Sequence, residues 1–81
     1  MSVKLTRRDS ITLKCTADAN PQPAFTWHTQ GAEIKQGSYT SNSSSLVVTP
    51  INDGDFTSYV CIANNEIGID SVTFMVNEKG K

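Results

Sequence analysis

The sequence predicts an all-β fold of the sandwich or barrel kind, and three observations predict it. Apolar and polar residues alternate through five short runs, the period of strands with one wet face. Clusters of proline, glycine and asparagine separate those runs at roughly regular spacing. No window of ten or more residues carries apolar side chains at the 3.6-residue period of a helix.

Taken in order, the first run is SITLKCTA, residues 10–17, where Ile11, Leu13, Cys15 and Ala17 share one face. Asn20-Pro21-Gln22-Pro23 ends it, because each proline fixes φ, lacks a donor and restricts its predecessor. In AFTWH, Phe25 and Trp27 point one way, Thr26 and His28 the other. Gln30-Gly31 and Gly37-Ser38 are turn material. In SLVVT, residues 45–49, Leu46 and Val48 alternate with Ser45 and Val47. Asn52-Asp53-Gly54-Asp55 marks a longer connection. In SYVCIAN, Tyr59, Cys61 and Ala63 face one side, Val60 and Ile62 the other. Asn64 to Gly68 reads as a hairpin with positive φ at Asn or Gly. DSVTFMV closes the series, Val72, Phe74 and Val76 set against Thr73 and Met75, and residues 78–81 read as a frayed end or the start of a linker.

The chain has 81 residues, 37% hydrophobic and 19% charged, enough for one small domain with a core. Its formal net charge of −1 gives no whole-domain electrostatic reason to bind nucleic acid or an anionic membrane. Arg7-Arg8, followed at once by Asp9, reads as a solvated turn. There is no apolar run of signal-peptide or membrane-spanning length, so the chain reads as cytosolic as written or as a domain excised from a longer protein, and the second is the expectation.

Two cysteines, Cys15 and Cys61, fall on inward faces of their runs, either as a structural pair or as two separate thiols. Cys15, Trp27, Leu46, Asp55, Tyr59 and Cys61 resemble, in order and spacing, the pattern of the immunoglobulin superfamily. The NPQP loop before Trp27 and the run Tyr59-Val60-Cys61-Ile62-Ala63-Asn64-Asn65-Glu66-Ile67-Gly68 are similar to the intermediate, or I-set, class. The stretch LVVTPINDGDFTSYVCIANNEIGIDSVTFMV resembles domains of the neural cell adhesion and fasciclin II type. The resemblance implies a two-sheet Greek-key sandwich with a Cys15–Cys61 disulfide and Trp27 packed on it. It places Leu13, Leu46 and Phe74 in the core, and Tyr59 with its hydroxyl turned back to a backbone carbonyl. Two departures stand out. Arg7-Arg8 occupies the place of the class's usual Glu-Gly pair, and only Ser2 to Thr6 precede it, so the first strand is expected to be shortened.

No residue pattern points to catalysis, a cofactor or a metal. His28 stands alone without Cys, His or acidic partners at ligand spacing and reads as a solvated strand histidine. Ser41, Ser43, Ser44 and Ser45 have no nucleophile elbow and read as loop or edge serines. Asp53 and Asp55 could be paired carboxylates or a weak calcium site, but an Asp capping the turn below Tyr59 is the better reading. Asn42-Ser43-Ser44 is an N-glycosylation sequon, and Asn42 a candidate acceptor.

The sheet bearing Trp27 and Cys61 should present Thr26, His28, Gln30, Val60, Ile62, Asn64, Thr73 and Met75 outward. Val60, Ile62 and Met75 form the candidate partner contact there, and Asn65 at the hairpin is a second. With the resemblance, the expectation is a non-catalytic recognition module of an extracellular, cell-surface adhesion or receptor protein. Its partners would be proteins, homophilic or heterophilic, flanked by immunoglobulin or fibronectin type III neighbours, with no nucleic acid and no membrane insertion. Two alternatives share the fold: an intracellular filament module with reduced cysteines, and a ligand-binding domain of a receptor kinase or guidance receptor.

Overall fold

Period-two alternation becomes pairing register in eight strands. The computed structural model describes residues 2–17, 21–35 and 37–80; Asn20 of the proline loop and Lys81 of the expected frayed end lie outside them. The strands are β1 (Ser2–Leu5), β2 (Ile11–Thr16), β3 (Ala24–Thr29), β4 (Ala32–Ile34), β5 (Ser38–Tyr39), β6 (Ser43–Val48), β7 (Ser58–Asn64) and β8 (Ile69–Glu78). A five-stranded sheet in the order β1-β8-β7-β3-β4 packs on a three-stranded one in the order β2-β6-β5. The chain changes layer between β1 and β2, β2 and β3, β4 and β5, and β6 and β7, as a Greek-key sandwich does. The first strand is indeed short, its four residues running parallel to the end of β8, with Ser2 opposite Met75 and Leu5 opposite Glu78.

The inward faces meet as alternation requires. Leu13, Cys15, Trp27, Leu46, Tyr59, Cys61 and Phe74 are all buried, joined by Phe25, Val48, Ala63 and Val76. Cys15 and Cys61, 46 positions apart, form a disulfide between the layers with Cα atoms 6.4 Å apart. On the chain-entropy model a loop of that length stabilises by about 4 kcal/mol, a large part of the 5–15 kcal/mol typical of a folded domain. Val72 shares the inward parity yet is 41% exposed. It lies opposite Cys61 on the stretch of β8 that precedes the pairing with β1, where β8 is the edge of its sheet.

Turn chemistry departs from expectation at two places and agrees at one. Gln30 (φ 52°) and Gly31 (φ 79°) both adopt left-handed backbone between the paired residues Thr29 and Ala32, the two-residue turn that matches strand twist. The hairpin from Asn64 to Gly68, expected to need positive φ, has none. There the Asn65 side chain replaces special backbone: its Oδ1 accepts from the N–H groups of Ile67 and Gly68, both at 3.0 Å. In the turn after β1, Arg8 takes the left-handed conformation (φ 75°) that glycine adopts without cost. Its N–H donates to the Pro50 carbonyl at 2.7 Å.

Strand limits also shift. β4 adds a strand between the two expected turns, β5 begins on Ser38, which reads as turn, β6 starts at Ser43 rather than Ser45, and β8 continues to Glu78. The end of β8 is tied in, because the Lys79 N–H donates to Leu5 O at 2.8 Å.

Candidate functional site

The surface available for recognition rests on a corner built around Trp27. Its indole is fully buried, with its ring centroid 5.8 Å from that of Phe74. A buried indole N–H needs an acceptor, and Ser44 supplies it: Nε1 donates to Ser44 Oγ at 2.8 Å, and Ser44 Oγ donates onward to Ser38 O at 2.9 Å. Ser43 and Ser44 are therefore buried members of β6, not the loop or edge serines their polarity suggests. Gly37 lies against the indole edge, where a Cβ would come 2.8 Å from Trp27 Cδ1.

At the other end, the Tyr59 hydroxyl donates to Asp55 O at 2.8 Å, closing the corner below β7. Burial, with the Asp55 charge nearby, raises the phenol's pKa. Asp55 Oδ2 accepts from the N–H groups of Ile51 and Asn52, at 2.9 and 3.0 Å, and these bonds hold its carboxyl below the usual range. Asp55 thus caps the 3₁₀ turn at Asp53–Asp55. Asp53 goes elsewhere, into an ion pair with Arg7. Arg7 also pairs with Glu78 at 3.4 Å, donates to Ile51 O at 3.2 Å and lies 5.7 Å from the Phe56 ring centroid. The solvated turn expected at Arg7-Arg8 is half right: Arg8 is exposed, whereas Arg7 ties three segments together. The bond to Asp53 is the main reason its guanidinium pKa is raised.

Register fixes the outer face of the five-stranded sheet. One row across it is His28, Val60, Thr73, and the next is Thr26, Ile62, Ser71. Met75 lies opposite Ser58 and so meets Val60 only on the diagonal, within about 7–8 Å. Ile69, paired with Asn64, has the same outward parity and extends the line on the other diagonal past Ile62. Ile69, Ile62, Val60 and Met75 thus form a bowed apolar strip that leaves β8 for β7 and returns, with Ser71 and Thr73 in its hollow and Thr26 and His28 along its outer edge. It spans three residue pairs on each side of Cys61, roughly 20 Å of strand. Val60 and Ile62 are half-buried, Met75 is exposed, and Ile69 is 69% exposed.

His28 Nε2 lies 3.0 Å from Thr26 Oγ1, a pairing within the polar rim. Gln30, expected on this face, bends away to donate to Gly54 O at 2.9 Å.

Asn65, the second candidate contact, is bonded within the domain. Its Nδ2 donates to Pro21 O at 2.8 Å, so both ends of the amide are engaged within the domain. What the hairpin offers is Ile67, 75% exposed at its tip. Neither Ile67 nor Ile69 stands out in the sequence, since hairpin isoleucines look like core residues until the turn is placed. Asn42 is exposed in the turn entering β6. Among the described residues no group of three or more His, Cys, Asp or Glu could hold a metal ion, and no helix is long and apolar enough to cross a membrane.

The family model for the immunoglobulin domain matches residues 1–65. Neural cell adhesion molecule 1 of Gallus gallus is 34% identical over 70 residues, covering 79% of this chain and 6% of the relative. The limbic system-associated membrane protein of Rattus norvegicus is 33% identical over 76 residues, covering 84% and 22%. The chain therefore spans less than a quarter of either relative. Among solved structures, the I-band fragment I67–I69 from titin superposes with a TM-score of 0.85 at 28% identity, over 95% of this chain and 29% of that one. The titin tandem A164–A165 gives 0.85 at 24% identity, over 98% and 43%. With its two layers, bridging disulfide and buried tryptophan, the chain belongs to the immunoglobulin domain family and resembles the domains of neural cell adhesion molecules.

Proposed function

We propose that this domain is a non-catalytic recognition module within a multidomain, extracellular cell-surface adhesion or receptor protein. The observation that carries the reading is the bowed strip of Ile69, Ile62, Val60 and Met75, an apolar line bordered by the polar Thr26, His28, Ser71 and Thr73. Its likeness to adhesion-molecule domains supports the cell-surface context, and its small share of those relatives' length supports a modular place beside further domains. The core disulfide supports an oxidising compartment. A protein partner, another copy or a different chain, would lay its own sheet face or loop on the strip, with Ile67 as an anchor at the rim.

Cells displaying the domain test this directly. They should aggregate with like cells, or capture cells bearing a different partner, and Ile62→Lys should weaken adhesion about tenfold or more, the loss of roughly 1.4 kcal/mol. Unchanged adhesion by an Ile62→Lys domain with a normal unfolding midpoint would remove the strip from the reading. The likeness to titin domains gives a second reading, an intracellular filament module. Thiol titration of natively produced protein separates the two: two reactive thiols after denaturation favour the filament, none the cell surface.

A further inference from the structure

The sequon Asn42-Ser43-Ser44 places its first and third residues in opposite environments. Asn42 is exposed, and its side-chain amide makes no hydrogen bond among the described residues. Only its backbone carbonyl is used, accepting from the Ala17 N–H at 2.9 Å. Ser44 is 1% exposed, its hydroxyl held between Trp27 Nε1 and Ser38 O. The acceptor pattern demands a hydroxyl at the third position, so an enzyme reading the pattern has to reach that hydroxyl. In the folded domain it lies inside the sandwich.

We infer that Asn42 carries an N-linked glycan and that the sugar is transferred before the sandwich closes over Ser44. This rests on the cell-surface reading, which takes the chain through the secretory pathway. In the transfer, Asn42 Nδ2 attacks the anomeric carbon of an oligosaccharide borne on a lipid pyrophosphate. A C–N bond forms, the anomeric C–O bond breaks, the lipid pyrophosphate leaves with the electron pair, and the amide nitrogen loses one proton to a base on the transferase. Chain order favours the sequence of events. Cys61 follows Asn42, so a growing chain presents the acceptor before the residue that staples the layers has been made. After closure, Ser44 is reached only through opening of the domain, populated at roughly 10⁻³ to 10⁻⁶. Asn42 leads into β6 of the three-stranded sheet, so the glycan leaves the outer face bearing Ile62 uncovered.

Expression of this chain through a secretory pathway, as wild type and Asn42→Gln, tests the site. The wild type should show one endoglycosidase-sensitive mobility step that Asn42→Gln lacks, while the two share an unfolding midpoint. For the order of events, sugar-free chain is given to transferase-bearing microsomes in two forms. One is folded with the bridge closed, the other reduced and alkylated. The unfolded form should be modified about a thousandfold faster or more. Secreted, disulfide-bonded wild type without sugar overturns the site and leaves the cell-surface reading standing. Equal rates for the two forms overturn the order. Native protein with both thiols reduced removes the cell-surface reading, and this inference with it.

Discussion

Replacing Gly37 by alanine sets two effects of opposite sign against each other. A methyl group at Gly37 would lie 2.8 Å from Trp27 Cδ1, 3.1 Å from Nε1 and 3.4 Å from Ser44 Oγ. The indole has nowhere to go: it is fully buried, its Nε1 is bonded to Ser44, and Phe74 packs on it. Forcing a methylene-sized group into such a site costs about 1–3 kcal/mol. Alanine also restricts the unfolded chain, which returns about 0.4–1 kcal/mol wherever the native backbone accepts it, and Gly37 does not have a left-handed φ. The clash should win, leaving a net loss of about 1–2 kcal/mol. For a domain of this size that lowers Tm by roughly 4–16 °C. Gly54→Ala is the control, since a Cβ there meets nothing within 4 Å; it should be neutral or slightly stabilising. Trp27 is the only tryptophan, so its fluorescence in a urea titration reports the corner itself. If Gly37→Ala matched Gly54→Ala in midpoint, the corner would be looser than described and the reasoning would fail.

Two further outcomes follow from the turns. Arg8→Gly should stabilise: a side chain in left-handed backbone costs about 1–2 kcal/mol, glycine gives back about 0.4–1 through the unfolded chain, and the net gain of about 0.5–1 kcal/mol should raise the urea midpoint with an unchanged slope. Asp55 should make stability acid-sensitive. Its folded pKa is depressed by the Ile51 and Asn52 N–H groups, so its contribution is present above the unfolded value near 3.9 and is lost as pH falls through the lower folded value. The stability difference between wild type and Asp55→Asn should therefore be largest near neutral pH and shrink below about pH 4; a difference independent of pH would contradict the bonding described.

The buried side of this domain is legible because burial follows a period of two. Leu13, Cys15, Trp27, Leu46, Tyr59, Cys61 and Phe74 each fall on the apolar face of a run, and each is buried. Strands β4 and β5, of three and two residues, are too short to show any period. Ser44 escapes the pattern because the reason for its burial is an indole N–H 17 residues away. Arg7 reads as surface because its partners Asp53 and Glu78 lie 46 and 71 positions along the chain. Long-range polar pairing leaves no local signal. On the candidate face, parity assigns Val60, Ile62 and Met75 their side of the sheet, but only the register shows that Met75 sits on a diagonal and that Ile69 joins the line.

The hairpin shows how a misplaced turn conceals what a side chain does. With positive φ at Asn or Gly, Asn65 would be a turn residue with a loose amide, available to a partner. Instead its amide oxygen organises the turn and its nitrogen reaches the Pro21 carbonyl, joining two loops that are 44 residues apart in sequence. Each such bond contributes only about 1 kcal/mol to stability. Together they fix the hairpin at both sides, and on the proposed function a hairpin so fixed would lose less conformational freedom when a partner seats on it. Ile67 and Ile69 are therefore presented from a frame held by backbone and amide bonds, continuous with the rigid strand that carries Ile62 and Val60. Asn65 braces the hairpin, and under the proposed function the exposed Ile67 and Ile69 beside it are residues a partner would meet.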